Sequence, residues 1–230
     1  MNSVTSLPRT VVFDLDGTLV DTGPDLTAAL NHALGVLGRR EVDEESVKEM
    51  VGLGARKLLE RGLEATGVMT DELIDAGVAP FLDFYAANIC VGSKPYAGLE
   101  AALEALSAEG VALAVCTNKP QRLSELLIEA LGWNGRFAAI LGADRVPQRK
   151  PHPAHVLSTI EAAGGDPRSA AFIGDSIVDV TAARAAEVPV IAVSFGFPDR
   201  PAHTLGADAV IDSYADLIPA LRRLGASATW

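Results

Sequence analysis

Four short segments of this chain carry acidic, hydroxyl and ammonium groups that could do chemistry together. Asp14-Leu15-Asp16-Gly17-Thr18 sets two carboxylates two residues apart, with a glycine turn behind them. Thr117-Asn118-Lys119 offers a hydroxyl, and Arg149-Lys150-Pro151 an ammonium. Gly174-Asp175-Ser176 adds a further carboxylate, with Asp179 one helical turn on. Carboxylates gathered at one place repel one another unless a cation sits among them. A hard divalent cation with oxygen ligands answers that need, and Mg²⁺ also leaves room for water and phosphate oxygens.

Each segment alone has an ordinary explanation: Asp-Gly as a turn, Thr-Asn as a helix cap, Lys as a surface charge. A calcium loop is the other reading of Asp-x-Asp-Gly, but it needs glycine at position six and glutamate at twelve. Here glycine stands fourth, and the twelfth residue from Asp14 is Asp25. What gives the segments weight is their order and their place at the ends of apolar runs.

Those runs are the elements that must position the groups. Thr10–Asp14, Val111–Cys116, Ala138–Leu141, Ala170–Ile173, Val190–Val193 and Ala209–Ile211 are apolar throughout, as strands covered on both faces are. Helical patterns lie between them at Gly98–Ala108, Gln121–Ala130, Pro153–Ala163, Ile177–Ala186 and Tyr214–Leu224. Strand–helix alternation predicts an α/β fold with a doubly wound parallel sheet, whose ligands bind at the carboxyl ends of the strands. One interval breaks the rhythm. From about Asp21 to Asn88 the apolar stripes (Leu26, Leu30, Ala33, Leu37; Leu58, Leu59, Leu63; Phe81, Leu82, Tyr85) are all helical. That block is too long for a crossover and predicts a small helical domain at 21–92, inserted into a core formed by 1–20 and 93–230. Gly and Pro at Asp21–Pro24 and Gly92–Gly98 suit hinges.

Composition narrows the class. The 230 residues are 49% hydrophobic and 21% charged, enough to bury a core, and the formal net charge of -11 argues against a nucleic-acid binder. No apolar run approaches the ~18 residues of a membrane span, and no secretory signal is evident, so a cytoplasmic protein with no membrane partner is expected. Cys90 and Cys116 form no zinc or CxxC spacing and read as two buried thiols. His32, His152, His155 and His203 read as surface or capping residues.

Taken together, Phe13-Asp14-Leu15-Asp16-Gly17-Thr18-Leu19-Val20-Asp21-Thr22, Cys116-Thr117-Asn118-Lys119, Lys150-Pro151-His152-Pro153 and Ile173-Gly174-Asp175-Ser176-Ile177-Val178-Asp179 resemble, in order, the four motifs of the haloacid dehalogenase superfamily. Val51-Gly52-Leu53-Gly54-Ala55, Asp83-Phe84-Tyr85 and Tyr96-Ala97-Gly98 resemble its phosphoglycolate phosphatases, which carry a helical cap after the first strand. The likeness runs from about Thr10 to Leu224. It implies an Mg²⁺-dependent phosphatase acting on a small phosphorylated metabolite through an aspartyl-phosphate. Asp14 would be the nucleophile and Asp16 the acid and then the base. Asp14, the Asp16 carbonyl and Asp175 would hold Mg²⁺, while Thr117, the Asn118 amide and Lys150 would bind the phosphate oxygens. Asp179 would orient Lys150 or a metal-bound water.

Substrate choice would fall to the cap, where Arg56 and Lys57 are the candidate cations for a substrate carboxylate, and Gly52 and Gly54 would let amides approach it. The dehalogenase branch fits poorly, since it needs no acid at Asp16. A phosphonatase needs a cap lysine that neither Lys48 nor Lys57 clearly supplies. A phosphatase of another small ester, or a β-phosphoglucomutase-type sugar phosphomutase, stays open. A response-regulator receiver is shorter and has its acceptor on the third strand. The sequence leaves a monomer and a homodimer equally open.

Overall fold

Six strands form one parallel sheet because each has apolar residues for both of its faces. The computed structural model describes residues 6–197 and 200–227. Residues 1–5 of the predicted core, and 228–230 of the tail, lie outside them. In chain order the elements are β1 (Thr10–Phe13), β2 (Val20–Asp21), α1 (Gly23–Val36), α2 (Glu44–Met50), α3 (Ala55–Thr66) and α4 (Asp71–Ala87). There follow β3 (Lys94–Pro95), α5 (Leu99–Ala108), β4 (Ala112–Cys116), α6 (Gln121–Ala130), β5 (Ala139–Leu141) and α7 (Pro153–Ala162). The chain continues through β6 (Ala170–Gly174), α8 (Ile177–Ala185), β7 (Val190–Val193), β8 (Ala209–Ile211) and α9 (Leu217–Ser227).

The sheet runs β5-β4-β1-β6-β7-β8, and every pairing in it is parallel. Successive residues of β1 serve opposite faces. Val11 and Phe13 join the core under α5 and α9, while Val12 joins Ala114, Phe172, Val156 and Val180 on the side of α7 and α8. Strand order reverses on either side of β1, so its carboxyl end, between those of β4 and β6, is the crevice where such folds bind ligands.

The interval from α1 to α4 is wholly helical and has a core of its own, in which Leu26, Leu30, Leu34, Leu59, Leu63 and Phe81 are buried. Leu123 of α6 reaches into that core, so the helical block sits against the sheet domain. The predicted hinges are a two-stranded antiparallel ribbon, Val20 facing Pro95 and Asp21 facing Lys94. Two residues per strand are too few to carry a sequence pattern. The buried Asp25 straps the return crossing, accepting from the amides of Val91 (3.0 Å), Gly92 (2.8 Å) and Ser93 (2.8 Å) and from Ser93 Oγ (2.6 Å).

Three expectations are corrected. Tyr214–Asp216 is a 3-10 turn, so the last helix begins at Leu217. Cys116 is buried but Cys90 is only half-buried. His155 is fully buried rather than at the surface.

Candidate active site

The loop after β1 is wound so tightly that its glycine is obligatory. Gly17 has φ +80°, and a Cβ there would stand 2.4 Å from Asp175 Oδ2. The amides of Leu19 and Val20 both donate to the Leu15 carbonyl, at 3.0 Å each. This winding sets the two aspartates in different surroundings. Asp14 Oδ1 accepts from the Leu15 amide at 2.7 Å and lies 3.0 Å from Lys150 Nζ. Asp16 is turned elsewhere, accepting from Thr22 Oγ1 at 2.8 Å and from Lys119 Nζ at 2.7 and 3.0 Å.

β6 delivers the other carboxylates. Asp175 Oδ1 accepts from Thr18 Oγ1 and its Oδ2 from the Phe197 amide, both at 2.8 Å. Ser176 and Asp179 cap α8 reciprocally, so Asp179 Oδ2 accepts from Ser176 Oγ at 2.6 Å. The other Asp179 oxygen accepts from Lys150 Nζ at 2.7 Å. Lys150 is 1% exposed and lies between Asp14 and Asp179.

Asp14, Asp175 and Asp179 each offer an oxygen within 4.8 Å of the others, all buried, with the Lys150 ammonium beside them. Burial raises the Asp14 carboxyl to about 7, with Lys150 opposing and Asp179 and Asp16 adding to the rise. Asp175 is driven well above the carboxylate range by burial and by its acidic neighbours Asp179 and Asp14. Burial would lower Lys150, but Asp14 and Asp179 outweigh it and hold the ammonium above its ordinary value. Three carboxylates sharing one ammonium make an electrostatically incomplete set, which a divalent cation would complete. Asp179 is ion-paired with Lys150 at 2.7 Å, whereas Asp175 meets only a hydroxyl and an amide and has no cation of its own. Asp14 and Asp175 are therefore the carboxylates left with most charge to offer a metal.

Lys150 is fixed from behind by His155. The Lys150 amide donates to His155 Nδ1 at 3.3 Å, and Nε2 donates to the Leu141 carbonyl at 3.1 Å. That pairing needs the neutral ring, and burial together with the Lys150 charge lowers His155 to about 4. The unfolded chain therefore binds more protons between about pH 6.5 and 4, and stability falls as pH drops through that window. His155→Gln should be less stable than the parent at pH 7. Their gap should narrow by roughly 3 kcal/mol toward pH 4, read from urea midpoints across the range. A gap independent of pH would show that this ring is not buried neutral.

The structure brings Asp14, Asp16, Thr117, Asn118, Lys150, Asp175 and Asp179 to one rim. Thr117 is 1% exposed, and Asn118 Nδ2 donates to the carbonyls of Lys150 and of Gly52 in the helical block, at 3.0 Å each. The cavity between block and sheet is small, about 40 Å³, and both Asp14 and Asp16 line it. Arg56 is not brought there. Its guanidinium pairs with Asp75 at 2.5 Å on the exposed side of α3, so a substrate-carboxylate role for it is withdrawn. Lys57 is likewise turned to Glu60. Two residues reach the cavity without having been assigned a part, Lys119 and Tyr85. Lys119 stood inside the Thr117-Asn118-Lys119 segment, and Tyr85 stood in an apolar helical stripe and in the Asp83-Phe84-Tyr85 segment of the resemblance, with no role attached to either.

Known proteins resemble this chain over most of its length. The haloacid dehalogenase-like hydrolase pattern matches residues 11–193. A phosphoglycolate phosphatase of Caulobacter vibrioides is 46% identical over 209 residues, covering 90% of this chain and 88% of the relative. One from Agrobacterium fabrum is 45% identical, covering 91% of each. The crystal structure of a predicted phosphoglycolate phosphatase from Haemophilus somnus 129pt superposes with a TM-score of 0.88 at 31% identity, covering 94% of this chain and 98% of that one.

Proposed function

The chain belongs to the haloacid dehalogenase-like hydrolase family, and from that premise we propose that it hydrolyses 2-phosphoglycolate to glycolate and phosphate through a phosphorylated Asp14. The observation that carries the chemistry is the pairing of Asp14 and Asp16, two residues apart in sequence, both lining one small cavity but held by different partners. We read residues 21–92 as a cap over a core of 1–20 and 93–230, in a cytoplasmic enzyme.

Two half-reactions follow. In the first, Asp14 attacks phosphorus. Its Oδ1 carries the bonds to Leu15 and Lys150, so Oδ2 is the attacking oxygen. The P–O bond to glycolate breaks, and Asp16 gives its proton to the departing oxygen. In the second, Asp16 takes a proton from water, the water oxygen bonds to phosphorus, and the P–O bond to Asp14 breaks. Phosphate leaves and both aspartates are restored. Lys150, Thr117 and the Asn118 amide bind the phosphate oxygens throughout. Mg²⁺, held by Asp14, the Asp16 carbonyl and Asp175, would supply positive charge between nucleophile and phosphate when bound. Asp179 holds Lys150 in line.

Phosphate release from a panel of esters, with and without Mg²⁺, tests this reading. Preference for 2-phosphoglycolate that vanishes with EDTA is expected. Equal turnover of hexose phosphates, or isomerisation of β-glucose 1-phosphate without free phosphate, would overturn it.

A further inference from the structure

Lys119, directly beyond β4, is 5% exposed, yet phosphate binding as described above gives it no part. Its Nζ donates to both Asp16 oxygens, and to Tyr85 Oη at 2.8 Å from α4. It also stands 4.4 Å from the centroid of the Tyr85 ring. Among the described residues lining the cavity it is the one cation, and much of the wall facing it is apolar, with Leu26, Leu58, Phe81 and Leu123. Burying an ammonium in such a wall costs several kcal/mol unless what it meets compensates. Asp16 supplies the opposing charge at 2.7 Å, and because Thr22 Oγ1 holds Asp16 as well, Asp16 stays anchored if Lys119 turns part of its charge to a second carboxylate.

We propose that Lys119 receives the carboxylate of the substrate and so selects phosphate esters of 2-hydroxy acids. The inference rests on the phosphatase reading of the site and names what decides its substrate. The geometry follows from the chemistry. The acid must come within about 2.6–3.2 Å of the ester oxygen that it protonates. Lys119 Nζ is within 3.0 Å of both oxygens of that acid. In a 2-hydroxy acid ester the carboxyl carbon is two bonds from the ester oxygen, so a cation bonded to the acid is within reach of the carboxylate. A carboxylate one carbon further away must fold back to meet it.

An ammonium has three protons to give. Here two go to Asp16 and one to Tyr85. When Asp16 turns one oxygen to the ester, the Lys119 N–H it leaves donates a hydrogen bond to the substrate carboxylate, and the ammonium keeps all three protons. Thr22 keeps the other end of Asp16, and Tyr85 keeps Lys119. Arg56, turned outward to Asp75, cannot serve in its place.

The test compares kcat/KM of the Mg²⁺-loaded enzyme for 2-phosphoglycolate, 2-hydroxyethyl phosphate and 3-(phosphonooxy)propanoate. The parent enzyme should rank them in that order. In Lys119→Met the ratio of the first to the second should fall by about 10²-fold, as expected when a charged hydrogen-bonding partner is removed. Most of that change should be in KM. Should this variant fail to fold, Lys119→Gln, which keeps a donor for Asp16 and Tyr85, reads the same ratio. A ratio unchanged in either variant overturns the proposal, because Lys119 would then act only through Asp16. A parent enzyme that shows no preference for the carboxylate overturns instead the assignment of substrate on which the proposal rests.

Discussion

Asp14→Asn is expected to lower phosphate release by ~10⁴-fold or more, while the metal-free protein becomes no less stable at pH 8. The loss of rate follows because an amide cannot form the acyl phosphate. The stability follows from where the carboxylate lies. Burial is the largest influence on Asp14 and lifts it from 3.8 to about 7, despite Lys150. Between those values the folded protein binds a proton that the unfolded chain has released. Stability contributed by the protonated group is therefore lost as pH rises from about 4 to 7, and the loss is complete above 7. Asparagine cannot ionise and escapes it. Melting curves in EDTA at pH 5 and pH 8 should show the parent losing more than the variant. A variant that keeps a tenth of the turnover, or one that melts well below the parent at pH 8, would refute this account of Asp14.

Lys150→Met should be the most damaging single change in the sheet domain. Its ammonium is 1% exposed and lies within 3.0 Å of Asp14 and 2.7 Å of Asp179. Removing one partner of a buried ionic group leaves the others uncompensated and costs about 3–5 kcal/mol. For a chain of this size that is a drop of roughly 10 °C in melting temperature. Phosphate release should fall as well, by ~10²–10³-fold, since a donor to the phosphate is lost. Pairing it with Asp179→Asn separates the two effects: the double variant should regain much of the stability and none of the rate. A single variant melting within about 2 °C of the parent would mean that the carboxylates tolerate one another unaided.

The sheet was legible in the chain because its strands are buried on both faces. Val11, Val12 and Phe13 need no alternation, since α5 and α9 cover one side and α7 and α8 the other. The ribbon of β2 and β3 was not legible, being two residues on each side, too short to show alternation. His155 was misread for a related reason. An imidazole three residues into a helix has no local mark of burial, and only its bonds to the Lys150 amide and the Leu141 carbonyl fix its place.

What the sequence determined by itself is the chemistry. Asp14 and Asp16 straddle a single residue at a strand end, and Asp179 stands four residues after Asp175, so local geometry alone sets each pair. What the tertiary structure decided is which cations face the reaction. Arg149 and Lys150 are neighbours in the chain, and Asp179, 29 residues further along, draws the second one inward. The sequence offered Arg56 and Lys57 to meet a substrate carboxylate and gave Lys119 no part. Arg56 is claimed by Asp75 of the next helix, whereas Lys119 is met by Tyr85 from the helical block and Asp16 from the sheet domain. A helical stripe shows which face is apolar but not what it is pressed against, and that depends on how the helical block is seated over β1.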